Sequence, residues 1–237
     1  MRAYTFPALF TLICSLFNQA IAQQTNSLET EIELGAVFTS GNTDDENVRY
    51  GLTMDYLRGD WEYQFSSDGL RSSKDNVLSA QRLYHVGMAQ YALSENSFIN
   101  ARAAYEDDRF SGFDSQSDFT VNYGRNLLLN RENMDLSLEI GAGVRRSETE
   151  TEDFEEGILR FEGNYQWNLT ETSDFTQDFS VESGSESSIM RSETAVTASI
   201  LENLSMRFSV KVKHQSDVPV GREKTDTQTA ITLVLNF

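Results

Sequence analysis

Apolar and polar residues alternate at every second position over many stretches of this chain, and this period of two constrains the fold more than any other feature. In the clearest stretch, Leu136, Leu138 and Ile140 alternate with Ser137 and Glu139. A β-strand sends successive side chains to opposite faces, whereas a helix would spread these charges across its apolar side. The pattern therefore predicts strands with one apolar and one polar face at residues 31–38, 48–56, 61–65, 99–106, 136–144, 206–212 and 226–237.

Weaker alternation occupies the intervals between these strands, at residues 78–91, 118–127, 157–167, 174–182 and 191–200. The two sets together predict about twelve antiparallel strands, an even number as in bacterial outer-membrane barrels. Each predicted strand is about ten residues long, which is enough to cross a bilayer when the strand is tilted. We therefore expect an all-β fold, a transmembrane antiparallel up-and-down β-barrel.

The connections between the predicted strands alternate between short and long. Tight turns are expected at residues 58–60, 94–96, 130–133, 170–173 and 202–203. Longer loops are expected at residues 41–47, 68–76, 107–116, 145–156, 184–188 and 215–224. Short periplasmic turns and long outer loops are typical of outer-membrane barrels. A soluble β-sandwich, the alternative fold, would mix loop lengths and use shorter strands.

Aromatic residues cluster beside the predicted tight turns, as in the interfacial girdle of a membrane barrel. These residues are Tyr56, Trp61, Tyr91, Phe98, Tyr165, Trp167 and Phe175. A second girdle is expected near the long loops, formed by Phe38, Phe110, Phe113, Phe119 and Phe154. Ordinary packing at hairpin ends would explain single aromatics, but not their clustering at one end of successive strands.

Residues 1–22 are typical of a cleaved signal peptide. Arg2 provides a positive start, residues 6–17 are apolar, and Ala20 and Ala22 form a small-residue cleavage site. The apolar stretch is shorter than the ~20 residues that a membrane-spanning helix needs. We therefore expect export, with the barrel at residues 23–237. Cys14, the only cysteine, lies in the signal segment, so no disulfide or cysteine metal site is expected in the exported chain.

The charge of the chain limits its partners. The formal net charge is −18 at pH 7, and such an acidic chain repels the phosphates of nucleic acid, so no nucleic-acid partner is expected. After the signal segment, no apolar run approaches the length of a membrane helix. Barrel strands escape this test because their lipid-facing apolar residues alternate with polar residues that face the lumen.

Three segments of the sequence resemble a known family. Thr39-Ser40-Gly41-Asn42, residues 105–112 and residues 224–227 resemble the salt-induced outer-membrane proteins, a domain of unknown function (DUF481) found in Gram-negative bacteria. The resemblance extends from about Glu31 to Phe237. It implies a β-barrel in the outer membrane and a loose link to salt or osmotic conditions, without a reaction or a known site. The C-terminal Phe237, preceded by alternating apolar residues, also resembles the strand that the barrel-assembly machinery recognises during biogenesis.

If the apolar face of each strand meets lipid, the polar face lines a lumen. The candidate lumen charges are Arg49, Arg102, Glu106, Glu139, Arg160, Glu162, Arg191, Glu193, Arg207 and Lys211. Glu31, Glu33, Asp55, Glu62, Asp178, Glu182 and Lys213 share this parity. An ion-pair plug and a narrow polar pore both stay open, because about twelve strands fall between filled barrels of about eight and aqueous channels of about 16–18. The mixed signs argue against strong ion selectivity, which uses rings of one sign.

Two polar segments are candidates for surface binding. Asp107, Asp108 and Arg109 could contact a cation or a lipid headgroup, or they could pair among themselves at the barrel rim. The acidic run at residues 148–156 is expected to be solvated and mobile. Its alternative role is divalent-ion bridging to lipid phosphates, so outer-membrane lipid and lipopolysaccharide are the expected partners. The spacing of these carboxylates does not match an EF-hand.

Catalysis has little support in the sequence. Only His85 and His214 are available as bases, and neither Ser209 nor Ser216 near His214 sits in a recognisable motif. A nucleophilic serine needs a base within hydrogen-bond reach and a group that orients the base. We therefore expect no enzyme activity, no cofactor and no metal.

The expected function is a structural barrel or a narrow passive channel of the Gram-negative outer membrane, linked to salt adaptation of the envelope. A lipid-modifying enzyme of the outer leaflet and a surface-loop binding module are the alternatives.

Overall fold

The computed structural model describes residues 26–40, 46–74, 77–108, 113–128, 131–149 and 153–237. The predicted signal peptide at residues 1–22 lies outside this part of the chain. The described residues form strands β1 (Asn26–Ser40), β2 (Glu46–Arg58), β3 (Trp61–Lys74), β4 (Val77–Ser94), β5 (Ser97–Asp108), β6 (Phe113–Asn126), β7 (Met134–Glu148), β8 (Asp153–Thr170), β9 (Ser173–Gly184), β10 (Ser188–Leu201), β11 (Leu204–Gln215) and β12 (Thr225–Asn236).

The strands close into one barrel. Each strand pairs antiparallel with its neighbours in the sequence, and β1 pairs with β12 to complete the circle. At this closure Glu33 lies opposite Val234 on one side and Gly51 on the other. The predicted twelve-strand up-and-down topology is therefore confirmed. No helix in the described ranges is long and apolar enough to cross a membrane.

The barrel is apolar outside and polar inside. On β8, Leu159 is 67% exposed while the adjacent Arg160 is 4% exposed, and the same alternation runs through the other strands. The buried interior holds many more polar and charged side chains than apolar ones, and the buried apolar cluster of the described residues consists of Leu70 and Ala230. A soluble sandwich would place its apolar faces in the core. This inverted arrangement suits a lipid environment.

The strands run further than the sequence indicated. They are 12 to 18 residues long, and much of the predicted loops at residues 68–76, 107–116 and 145–156 belongs to strands. The hairpin ladders continue through these polar segments because their inward side chains find partners on other strands. Asp68, for example, accepts a hydrogen bond from Arg49 Nε at 2.7 Å. Between the strand ends, the longest connection at the end of the predicted long loops joins β11 to β12 over residues 216–224. The predicted tight turn between β6 and β7 is longer than expected and spans residues 127–133.

The opposite end of the barrel carries the tight turns and both ends of the described chain. Gly59 joins β2 to β3 with a positive φ of 60°, a conformation that glycine adopts without strain. Phe237 exchanges backbone hydrogen bonds with Thr30 at 2.9 and 3.1 Å, which holds the C-terminus at this end. Following outer-membrane barrels, in which short turns face the periplasm, we call it the short-turn end and the other the loop end.

Aromatic rings lie at the short-turn end as predicted, except that Phe98 faces into the barrel and is only 5% exposed. Trp61 contacts Tyr63 and Tyr91 with ring centroids 5.9 and 5.0 Å apart. The second predicted girdle differs, because Phe113 is 5% exposed and packs edge-to-face on Phe154. Phe113 is therefore a packing residue and not an exposed anchor. Phe110 and the side chain of Phe38 lie outside the described part.

Candidate functional site

The lumen is the candidate site, and the ten candidate charges lie on its wall. The strand register and the low exposure of alternate residues place the following side chains on the inner face: Arg49 on β2, Arg102 and Glu106 on β5, Glu139 on β7, Arg160 and Glu162 on β8, Arg191 and Glu193 on β10, and Arg207 and Lys211 on β11. Their side chains do not stay on their own strands but meet across the lumen.

Glu106 is the centre of the first group of ion pairs. It is 2% exposed, and it contacts Arg82 Nε at 3.1 Å, Arg191 Nη2 at 2.9 Å and Lys213 Nζ at 2.8 Å. These cations come from β4, β10 and β11. Since β5 and β11 lie on opposite sides of the closed barrel, the contact between Glu106 and Lys213 spans the lumen.

Glu182 on β9 is a second centre at a similar height. It is 1% exposed, and it contacts Arg191 Nη1 at 3.1 Å, Arg160 Nε at 3.4 Å and Arg145 Nη1 at 3.7 Å. Arg191 thus joins the two carboxylates, and its guanidinium carbon lies 5.2 Å from the ring centroid of Tyr84 on the opposite wall. We call Glu106, Glu182 and the six cations around them the cross-lumen layer. The six cations are Arg82, Arg102, Arg145, Arg160, Arg191 and Lys213.

A further group of ion pairs joins β1, β2 and β3 to β10 and β11. Arg49 contacts Asp68 at 2.7 Å and Glu33 at 3.5 Å. Lys211 on β11 contacts Asp68 at 3.5 Å and Glu193 at 3.0 Å. Asp68 therefore receives cations from two separate parts of the wall, and this group narrows the lumen beside the cross-lumen layer.

At the loop end, one ion pair holds a connection over the lumen. Arg145 on β7 and Glu156 on β8 are both buried and lie 2.7 Å apart. Arg145 also donates a hydrogen bond to the carbonyl oxygen of Ser187, and Glu156 accepts one from the backbone N–H of Glu186 at 2.7 Å. These bonds fasten the connection between β9 and β10 to the inner wall.

Between the cross-lumen layer and the short-turn end lies an open polar cavity of about 640 Å³, which we call the vestibule. Arg102, Arg160 and Arg191 of the layer line one end. The remaining wall includes the apolar Val86, Met88 and Phe98. It also carries carboxylates and amides from six strands: Glu62, Gln64, Gln90, Asn100, Glu139, Glu162, Asn164 and Asp178. A second cavity of about 350 Å³ lies beside it and shares Tyr84 and Asp178.

Several vestibule carboxylates are bonded to amides and not to cations. Glu139 accepts a hydrogen bond from Asn100 at 2.8 Å, and Glu62 accepts one from Gln90 at 2.9 Å. Neither Glu62, Glu139 nor Asp178 forms a salt bridge within the described ranges, although Glu162 pairs with Arg160. Negative charge in the vestibule is therefore only partly neutralised.

Sequence reasoning missed several members of these groups. Asp68, Arg145 and Glu156 fell within predicted loops, and Arg82 and Tyr84 were not singled out. Extending the period of two beyond the predicted strand ends would have found them, because Asp68 lies two positions beyond the inward-facing Ser66 of β3.

Two of the three predicted outer-loop contacts, Asp107 and Asp108, lie in the described part of the chain. Asp107 and Asp108 are the last residues of β5, where successive side chains point to opposite faces. Arg109 lies outside the described residues. From the acidic run, Glu148 and Asp153 pair with Arg146 on the outer surface at 3.0 and 3.5 Å, while residues 150–152 also lie outside the described part.

The two histidines do not meet the serines considered for catalysis. His214 Nδ1 lies 2.8 Å from Thr225 Oγ1. Ser209 is buried on the inner face of β11, while His214 is on its outer face, and Ser216 Oγ accepts a hydrogen bond from the backbone N–H of Ser188 at 2.8 Å. His85 stacks on Phe65 with ring centroids 6.4 Å apart. Within the described residues, neither histidine is hydrogen-bonded to Ser209 or Ser216.

Comparison with known proteins gives one family and several structural relatives. Residues 32–237 match the family described as "Protein of unknown function, DUF481". The Escherichia coli (strain K12) protein YdiY, described as uncharacterized, is 26% identical over 207 residues, which cover 86% of this chain and 81% of that protein.

Solved porin structures share the fold. The NanC porin aligns with a TM-score of 0.59 at 8% identity, covering 86% of this chain and 98% of its own. The KdgM porin aligns with a TM-score of 0.52 at 10% identity, covering 87% and 99%. An outer membrane channel from Pseudomonas putida F1 aligns with a TM-score of 0.51 at 11% identity, covering 91% and 97%. At these identities the likeness establishes a porin-like barrel fold.

Proposed function

The chain belongs to the family described as protein of unknown function, DUF481, and from this premise we propose that it is a narrow passive channel of the outer membrane, closed at rest by the cross-lumen layer. The contact of Glu106 with Lys213 carries this proposal. Side chains from opposite sides of the barrel meet there at 2.8 Å and obstruct the path of a hydrated solute at that level. The porin-like fold supports the location in the outer membrane.

The layer is suited to opening because it consists of side chains from the barrel wall. Arginine and lysine side chains are long and have many rotamers, so the layer can part while the strand ladders stay intact. Burying charged groups also costs free energy that their mutual attraction offsets only in part. In a state in which water enters and the ion pairs separate, the regained hydration of these charges offsets part of the lost attraction.

The ion pairs of the cross-lumen layer also provide a physical reason for a link between the function and salt. The Debye length falls from about 10 Å at 0.1 M to about 3 Å at 1 M ionic strength. Since the vestibule reaches the layer, dissolved ions can screen the pairs on that side. We propose that the open state is favoured as the salt concentration rises, and that the protein acts without catalysis in adaptation of the envelope. Lipopolysaccharide and outer-membrane lipid surround it, and the barrel-assembly machinery inserts it.

Single-channel recording tests the proposed function. The chain from residue 23 is refolded and inserted into a planar bilayer, and current steps are recorded in KCl from about 0.1 to about 1 M. We expect small steps whose frequency rises with salt more steeply than the bulk conductivity does. Glu106→Gln should give larger or more frequent steps, because three cations lose their shared partner and repel one another.

The matched control is Glu155→Gln, which removes an exposed carboxylate from the outer side of β8 and should behave as the wild type. Circular dichroism and the heat-dependent gel mobility of barrels report folding of each protein. Absence of steps from folded wild type and folded Glu106→Gln alike would overturn the channel and favour a purely structural barrel.

A further inference from the structure

We infer that the vestibule makes this channel selective for small inorganic cations, with Glu62, Glu139 and Asp178 as the residues that determine the selectivity. This inference rests on the proposed channel function. It concerns the electric field along the lumen and does not require a cation held at a fixed site.

The three guanidinium groups that line the vestibule belong to the cross-lumen layer. The cations of the cross-lumen layer are engaged by Glu106 and Glu182 above the vestibule, and Arg102 is further paired with Asp118 at 2.5 Å. Arg102 and Arg191 line the vestibule but have their carboxylate partners outside it, whereas Arg160 is also paired with Glu162 of the vestibule wall. The carboxylates nearer the short turns have amide partners, such as Asn100 for Glu139 and Gln90 for Glu62.

Amide partners hold a carboxylate in place without neutralising it. Glu139 is 8% exposed yet lines the vestibule, so its charge acts in a confined space with limited solvent screening. Asp178 on β9 lines both cavities, and it forms no salt bridge within the described part of the chain. The vestibule lining thus carries four carboxylates against three guanidinium groups, which leaves an excess of negative charge.

The second cavity also carries an excess of negative charge. Glu31 and Glu33 line it together with Arg207, and Arg207 is shared by both carboxylates, with Glu31 Oε1 at 2.8 Å. Arg49 and Lys211 also line this cavity, and its carboxylates include Asp68, Asp178 and Glu193, so that three cations face five carboxylates. Both of these cavities consequently carry an excess of negative charge.

This geometry has a direct consequence for permeation. A cleft lined by charge of one sign between low-dielectric walls focuses the field and raises the local concentration of counter-ions. Carboxylate rings select cations in channels for the same reason. The sequence alone predicted weak selectivity from mixed signs. Cations and carboxylates do line both cavities together, but the carboxylates outnumber the cations in each of them.

The test is the reversal potential in a KCl gradient across the bilayer, measured on wild type and on the more conductive Glu106→Gln. We expect a reversal potential of the sign that a channel more permeable to potassium than to chloride gives. The triple variant Glu62→Gln, Glu139→Gln, Asp178→Asn should keep its current steps, while its ratio of potassium to chloride permeability falls several-fold towards unity.

The matched control removes the same groups from the outer surface, with Glu148→Gln, Asp153→Asn and Glu155→Gln, and should retain the wild-type ratio. A wild-type reversal potential of zero, or of the sign that indicates a preference for chloride, would overturn the cation selectivity. It would leave the proposed channel function standing. An unchanged ratio in a folded, conducting vestibule variant would also overturn it. If neither wild type nor Glu106→Gln gives current steps, the proposed channel function is overturned, and the selectivity is overturned with it.

Discussion

Glu106 on β5 and Lys213 on β11 meet across the full width of the barrel, with 2.8 Å between Oε1 and Nζ. The pair joins opposite walls through the lumen and not through the strand ladder. Both residues are held on the inner face by the alternation of their strands, and both are nearly excluded from solvent. The width and the stability of the lumen therefore depend on the same few charges.

Loss of the Glu106 charge should destabilise the barrel. Glu106→Gln leaves Arg82, Arg191 and Lys213 without their common carboxylate, and breaking a buried pair from one side costs about 3–5 kcal/mol. We expect the urea midpoint of unfolding to fall. This midpoint is measured in lipid vesicles, with heat-dependent gel mobility as the readout of folded protein. Adding Lys213→Met should recover part of the loss, since one unpaired cation is removed. A double variant less stable than Glu106→Gln would contradict the pairing across the lumen.

Loss of Arg145 should free the connection between β9 and β10. Arg145 binds Glu156 and the Ser187 carbonyl, so Arg145→Met removes the bonds that hold this connection against the wall. Limited proteolysis with mass spectrometry should detect new cleavage at residues 184–188. Arg146→Met is the matched control, because Arg146 is 57% exposed on the outer face. Equal cleavage in the two variants would argue against this role of Arg145.

A charge on the outer surface should be penalised according to its depth in the membrane. Ile140 lies in the middle of β7 and faces outwards, so Ile140→Arg should lower the unfolding free energy in lipid by about 2–4 kcal/mol. Leu169→Arg, next to the tight turn that follows β8, should cost much less because arginine reaches the headgroups there. Equal costs, measured by urea titration in vesicles, would show that this surface does not face lipid as proposed.

A methyl group at Gly143 should disturb the pairing of β6 with β7. A Cβ there would fall against the carbonyl oxygen of Phe119 and within 2.8 Å of Thr120 Cα, both backbone atoms that cannot turn away. Gly143→Ala should reduce stability by about 1–3 kcal/mol, as overpacking does. Gly87→Ala is the control, since nothing lies within 4 Å of its added Cβ. The measurement is the urea midpoint of unfolding of the two folded variants. If Gly87→Ala lowers this midpoint as much as Gly143→Ala does, the steric explanation is wrong.

The period of two determined the strands and the orientation of their side chains. In the run from Leu136 to Ile140, parity alone places Glu139 on one face and Ile140 on the other, because a strand cannot send neighbours to the same side. The same local property, repeated along the chain, determined the strand number and the porin-like class. Polar runs misled this reasoning at Asp68, Arg145 and Glu156. Whether a polar segment is strand or loop depends on partners from distant strands, which the local sequence does not contain.

Which charges meet was decided only by the tertiary structure. Closure of β1 on β12 and the register of every pair set the height of each side chain in the lumen, and this brings Glu106 to Lys213 and leaves Glu139 with Asn100. Parity identifies an inward charge but carries no information about its height. The sequence by itself therefore determined a barrel with a polar, charged interior. The cross-lumen layer and the acidic vestibule follow from the staggered closure of the sheet, because only closure turns positions along twelve strands into distances across one lumen.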